Sequence, residues 1–159
     1  MAEDTLTCSL QTRRQFCMRS LASVASLGVL GPLCSGCSSP TSPSNANALP
    51  VVSATLSGRI YSVTVDAASP LSNVGALAIA QGPNAAFLIA HVGANNFNAL
   101  SSVCTHQVCT VTGYSGTTFV CPCHGSQFDT SGRVVGGPAP APLTQYATAF
   151  ANSRLPITR

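Results

Sequence analysis

The sequence predicts a small all-β domain, an antiparallel sandwich or barrel, set behind an N-terminal leader and a flexible linker. Three observations carry that expectation. From residue 50 onward, turn-forming clusters recur roughly every 8–12 residues, the spacing of short antiparallel strands. The segments between them either alternate apolar with polar or run apolar for the length of one strand. The residues before them differ in character, with an arginine-flanked apolar stretch followed by a Ser/Pro/Asn-rich segment.

Residues 1–36 read as an address. Thr12-Arg13-Arg14-Gln15-Phe16 resembles a twin-arginine export signal, in which paired arginines precede a Phe and an apolar run. Leu21 to Leu33 supplies that run, interrupted by Ser23, Ser26 and Pro32. A bilayer-crossing helix needs about 20 apolar residues, whereas a signal-peptide core needs about 7–15. Leu33-Cys34-Ser35-Gly36-Cys37 resembles a bacterial lipoprotein box, with Cys34 standing where an aliphatic residue is usual. Cys37 is the lipidation candidate; simple cleavage or an uncleaved anchor are the alternatives. Residues 37–49 follow as a flexible tether by composition. This order predicts an exported, membrane-associated protein on the periplasmic side of a bacterial cytoplasmic membrane.

Residues 50–159 form the predicted domain. Ile60 to Val65 alternates as a half-buried strand. Val74 to Ala80 and Ala85 to Val92 flank Gln81-Gly82-Pro83-Asn84 as a hairpin. Phe97 to Val103 follows the Gly93-Ala94-Asn95-Asn96 turn and delivers the chain to Cys104, as Thr117 to Val120 delivers it to Cys121. Leu143 to Phe150 and Leu155 to Ile157 make a last hairpin turning at Asn152-Ser153.

Composition excludes several functions. Only 7% of residues are charged and there is no Lys or Trp. The seven arginines form no cluster able to neutralise a run of phosphates, which argues against nucleic-acid binding. Beyond Glu3 and Asp4 the only carboxylates are Asp66 and Asp129, so paired-carboxylate hydrolysis has no reserve of acids. Eight cysteines divide evenly between the N-terminal quarter and residues 104–123, leaving residues 50–100 without any; a disulfide-stapled miniature fold does not have that distribution.

The chemistry is concentrated in two short runs, CTHQVC at 104–109 and CPCHGSQFD at 121–129. Each offers thiol and imidazole within a few residues. Two Cys and two His on two loops suit a [2Fe–2S] centre in which one iron takes sulfur and the other nitrogen. Structural zinc uses the same donors, but usually as C-x2–4-C with paired His further on, and it leaves two further cysteines unexplained.

These runs resemble the Rieske iron–sulfur proteins of cytochrome bc/bf-type quinol oxidoreductases, over about the last third of the chain. The resemblance implies a Rieske-type fold with a cluster-binding subdomain at about 103–140 and one [2Fe–2S] cluster per chain. It implies that Cys104 and Cys121 bind one iron and that His106 and His124 bind the other and face a quinol. It further implies a Cys109–Cys123 disulfide clamping the two loops, a Ser126 hydroxyl donating to a bridging sulfide, and a covering proline loop at Gly136-Gly137-Pro138-Ala139-Pro140. Phe128 stands where many high-potential members carry Tyr, and Val108 where a Gly is frequent. One sulfur-directed donor fewer predicts a potential in the upper half of the range of about −150 to +300 mV, below that of members with both hydroxyls.

The implied function is electron transfer within a membrane quinol-oxidising complex, with a cytochrome as acceptor. The alternatives are a small Rieske subunit of a periplasmic oxidoreductase of the arsenite-oxidase kind, or a metal-stabilised binding module. An oxygenase site within the chain is excluded by count, since only His91 remains once the cluster takes two His.

Overall fold

The computed structural model describes residues 46–159. The leader of residues 1–36, its twin-arginine stretch, Cys37 and the tether as far as residue 45 lie outside the described residues. Among the described residues there is no helix. The strands are β1 (Asn47–Ala48), β2 (Val51–Ser57), β3 (Ile60–Thr64), β4 (Leu77–Gln81), β5 (Ala86–Gly93), β6 (Asn96–Ser101), β7 (Gly113–Ser115), β8 (Thr118–Val120), β9 (Gln127–Phe128), β10 (Val134–Gly136), β11 (Gln145–Thr148) and β12 (Arg154–Thr158).

Seven strands close a barrel in the order β11-β12-β3-β2-β4-β5-β6, and five form a second sheet in the order β1-β7-β8-β9-β10. The all-β expectation holds. Its antiparallel character has one exception: β2 and β4 run parallel, with Val51 opposite Ile79 and Ser53 opposite Gln81.

Burial explains why some strands alternate and others do not. β3 buries Tyr61 and Val63 and exposes its ends, as a strand with one wet face should. β4 and β5 are buried on both faces. Ala78, Ala80, Phe87 and Ile89 point into the barrel, where Phe87 meets Tyr61 and Tyr146 edge-on at 4.9 and 5.2 Å between ring centroids. Leu77, Ile79, Leu88 and Ala90 point outward into a second core shared with Cys104, Val111, Phe119, Cys121 and Phe128. The second sheet is thus mounted on the barrel's outer wall through β4 and β5.

The hairpins fall where the turn residues place them. Gly82 N–H donates to Ala85 O at 2.9 Å between β4 and β5. Asn152 and Ser153 have φ of 50° and 58°, the left-handed pair that a tight hairpin uses between β11 and β12.

Strand ends shift by one to two residues from those read in the sequence in several places, and two boundaries differ more. The strand expected from Val74 begins at Leu77, because Val74 lies 61% exposed in a turn. Residues 47–49, assigned to the tether by composition, belong to the fold. β1 pairs with β7, Leu49 is buried, and its N–H donates to Thr112 O at 2.8 Å. Gly113 makes this approach possible, since a Cβ there would stand 3.1 Å from both Ala46 Cβ and Val120 O.

The turn between β9 and β10 is organised by one carboxylate. Asp129 accepts from Ser131 N–H at 2.8 Å, Ser131 Oγ at 2.7 Å and Arg133 N–H at 2.9 Å. Burial pushes its pKa up, but these bonds and the Arg133 charge outweigh burial and hold it below the usual carboxylate value. A depressed folded pKa stabilises the fold above the unfolded value of about 3.9 and ceases to do so as pH falls through the lower folded one. In urea titrations, Asp129→Asn should therefore cost about 1 kcal/mol at pH 7. The gap to the wild type should narrow as pH falls through the lowered folded-state pKa of Asp129.

Candidate metal centre

Both Cys/His runs lie on short loops that fold back on their own stems. In the first, Val103 and Thr110 form an isolated bridge and Cys104 N–H donates to Cys109 O at 2.8 Å. In the second, Cys121 N–H donates to Ser126 O at 2.8 Å and Gly125 N–H returns to Cys121 O at 3.0 Å. Gly125 takes a φ of 71° to close that knuckle. A disulfide between Cys109 and Cys123 joins the loops, with Cα atoms 6.6 Å apart.

The arrangement separates the donors by chemistry. The thiols of Cys104 and Cys121 are free and buried, 4% and 1% exposed, within the second core. The imidazoles face the other way. His124 is exposed and His106 half-buried, with ring centroids 5.0 Å apart and planes nearly perpendicular at 87°. Among the described residues no three His, Cys, Asp or Glu side chains gather around a single point, and these donors stand instead as a sulfur pair and a nitrogen pair.

Backbone amides tune the sulfurs. Burial raises the Cys104 pKa, but the amides of His106 and Gln107 and the side chains of Cys121 and Ser126 outweigh it and bring the thiol below its usual value. Cys121 is pushed up by burial and by its neighbour Cys104, against the amides of Cys123 and His124. The two sulfurs thus differ in the direction of their shift, and a cation beside them would favour the thiolate form of both.

The buried surroundings fit such a group. Ser126 Oγ is fully buried and has no hydrogen-bond partner of proper geometry, although it stands near enough to Cys104 to favour the thiolate. A buried hydroxyl without an acceptor is costly, and a sulfur acceptor in the adjoining site would relieve it. Phe128, on β9, is fully buried in the same core.

Two residues seat the proline loop over these knuckles: Thr105, given no role in the sequence reading, and Gly137, named there as part of that loop. Thr105 Oγ1 donates to Ala141 O at 2.6 Å, tying the first loop to the cover. Gly137 has φ of 80°, and a Cβ there would stand 2.6 Å from both Gly125 O and Ser126 Cα. The Gly136-Gly137 doublet ahead of Pro138 was the signal for this close approach. His91 lies elsewhere, buried on β5, with Nδ1 2.8 Å from Leu71 O and its ring stacked on Phe97 at 4.1 Å. It is a buried strand residue apart from the Cys/His loops.

A closed β-barrel carrying a disulfide-linked pair of loops, with thiols inward and imidazoles outward, offers the donors that an iron–sulfur centre of mixed ligation would need. Comparison gives the family: the chain belongs to the Rieske family, the Rieske [2Fe-2S] domain matching residues 63–147, and membership implies a [2Fe–2S] cluster. The chain is 49% identical over 57 residues to a cytochrome b6-f complex iron-sulfur subunit of Prochlorococcus marinus, covering 35% of this chain and 32% of that one. It is 39% identical over 82 residues to the corresponding subunit of Parasynechococcus marenigrum, covering 51% and 41%. The matches thus span about a third to two fifths of the length of these curated relatives. Among solved structures, the plasma membrane Rieske protein PetC3 of Synechocystis superposes with a TM-score of 0.51 at 29% identity, over 61% of this chain and 99% of that one.

Two variants test the clamp and its cover. Gly137→Ala should lift the proline loop and shorten the half-life of the visible cluster absorption at least several-fold, with far-ultraviolet dichroism retained. Replacing both Cys109 and Cys123 by Ser opens a 14-residue link, which should cost about 3 kcal/mol in urea unfolding and increase iron loss.

Proposed function

We propose that this chain is the electron-transferring iron–sulfur subunit of a membrane quinol-oxidising complex of the cytochrome bc type. The observation that carries the reading is the outward pair His106 and His124 above the inward pair Cys104 and Cys121. We assign these four residues as the ligands, the sulfurs to one iron and the imidazoles to the other. When bound, the cluster supplies a one-electron redox centre.

The chain's own residues supply the rest. His106 and His124 present imidazole edges to solvent, where a quinol hydroxyl could donate a hydrogen bond and pass its proton. Cys109–Cys123 holds both loops in one geometry. Ser126 donates its otherwise unpartnered O–H toward sulfur, and the proline loop keeps water from that side. Phe128 offers no such donor, which favours a lower potential than a Tyr there would give.

The similarity to b6-f complex subunits and to a plasma membrane Rieske protein supports a membrane complex as the partner and a cytochrome as acceptor. The twin-arginine stretch and Cys37 support export and anchoring on the periplasmic side. A disulfide is at home in that oxidising compartment.

The full chain carrying its cluster should give a rhombic paramagnetic spectrum on reduction by duroquinol and be reoxidised by a c-type cytochrome. Reduction by dithionite but never by quinols would overturn the quinol reading. In redox titrations, Phe128→Tyr should raise the potential; an unchanged value would show that the residue at 128 does not tune the sulfurs.

A further inference from the structure

Where the β2–β3 hairpin turns, Leu56, Gly58, Arg59, Tyr61 and Arg159 line a cavity of about 370 Å³. The electron-transfer reading uses none of these residues. Tyr61 is only 4% exposed, and its ring packs edge-on against Phe87 in the barrel core. Among the described residues the fully buried side-chain atoms without a partner are His91 Nε2 and Ser126 Oγ alone. Tyr61 is one of the cavity's lining residues, and no described residue hydrogen-bonds its hydroxyl, which is not among those fully buried atoms.

The walls carry two arginine side chains and no carboxylate side chain. Arg159 is steadied by one long contact, Nη1 to Asn84 O at 3.5 Å, which leaves its other N–H groups free. The described residues include only two carboxylate side chains, and both are committed elsewhere. Asp66 accepts from Ala68 N–H at 3.0 Å, and Asp129 is occupied by Ser131 and Arg133. Leu56 and the neighbouring Ile60, 37% and 43% exposed, give the rim an apolar edge.

We propose that this cavity is an oxyanion site that takes a phosphate group, with Arg59 and Arg159 supplying the guanidinium donors and Tyr61 a phenolic O–H from the floor. Two sources carry that chemistry, free phosphate and the headgroup of an anionic lipid. The headgroup would set this end of the barrel against the membrane surface, with Leu56 and Ile60 meeting the interface.

The full chain with its cluster distinguishes them in two arms. One titrates inorganic phosphate calorimetrically; the other compares co-sedimentation with phosphatidylglycerol and phosphatidylcholine vesicles, so that any lipid anchor contributes equally to both. Arg59→Gln with Arg159→Gln should lower the affected arm roughly 30-fold, the effect of two arginines leaving an anionic partner. Tyr61→Phe should lower it a few-fold. The charge-matched control, Arg133→Gln with Arg154→Gln, should leave most of the binding intact. A response in the phosphate arm identifies the free anion, and a response in the vesicle arm alone identifies the headgroup. The proposal fails if the Arg59/Arg159 variant binds as the wild type does, if the control falls equally, or if Tyr61→Phe changes neither arm. The cluster's spectrum and potential should be the same in every variant, which separates this test from that of the redox reading.

Discussion

The double-sided burial of β4 and β5 is the constraint on which the metal centre depends. The lobe bearing both loops has strands of only two or three residues, and a segment of that size cannot enclose a core of its own. It borrows one from the barrel, resting Val111, Phe119, Phe128 and the two thiols on Leu77, Ile79, Leu88 and Ala90. The sulfurs are dry because they sit in that shared core. The imidazoles are wet because the disulfide and the backbone bonds of each loop turn the chain outward again within two or three residues. A redox group held this way has a buried side that sets its energy and an open side that meets its partner.

The sequence made the site plain and the mounting of the site obscure. The four donors and the two remaining cysteines were legible because their chemistry is local to two short runs. The hairpins of the barrel were legible because Gly82-Pro83 and Asn152-Ser153 impose turns whatever surrounds them. The parallel pairing of β2 with β4 left no local trace, since it depends on how residues 65–76 cross the barrel's end. β1 was unreadable for another reason. Asn47 and Ala48 have the composition of a linker, and only the space left by Gly113 sixty-odd residues later makes them a strand. Apolar continuity in Leu77–Ala80 and Phe87–Ala90 hinted at two buried faces, but the sequence could not say what covered the second one.

Around the sulfurs, the number of hydrogen-bond donors matters more than the number of contacts. The amides of His106, Gln107, Cys123 and His124 point at the thiols, and Ser126 adds a hydroxyl with no other acceptor. Phe128 fills the remaining space with carbon. Under the proposed function, packing and redox tuning would be set by different atoms in one small volume.

The distribution of charge has a consequence for encounter. No Asp, Glu, Lys or Arg occurs between Asp66 and Asp129, or between Arg133 and Arg154, so neither cluster loop nor the proline loop carries a charged side chain. Val108 stands at the apex of a tight turn closed by Cys109 N–H donating to Gln107 O at 2.6 Å, and it is 93% exposed two residues from His106. A surface of this kind gains little from long-range steering, which accelerates association only where opposed charges face each other. Under the proposed function, productive contact at the imidazoles would then come from shape and apolar fit, or from a tether that makes steering unnecessary. For that same function, an uncharged tip and the Ser/Pro/Asn-rich composition before Asn47 would be complementary: the less the tip attracts its partner, the more the encounter would depend on confinement.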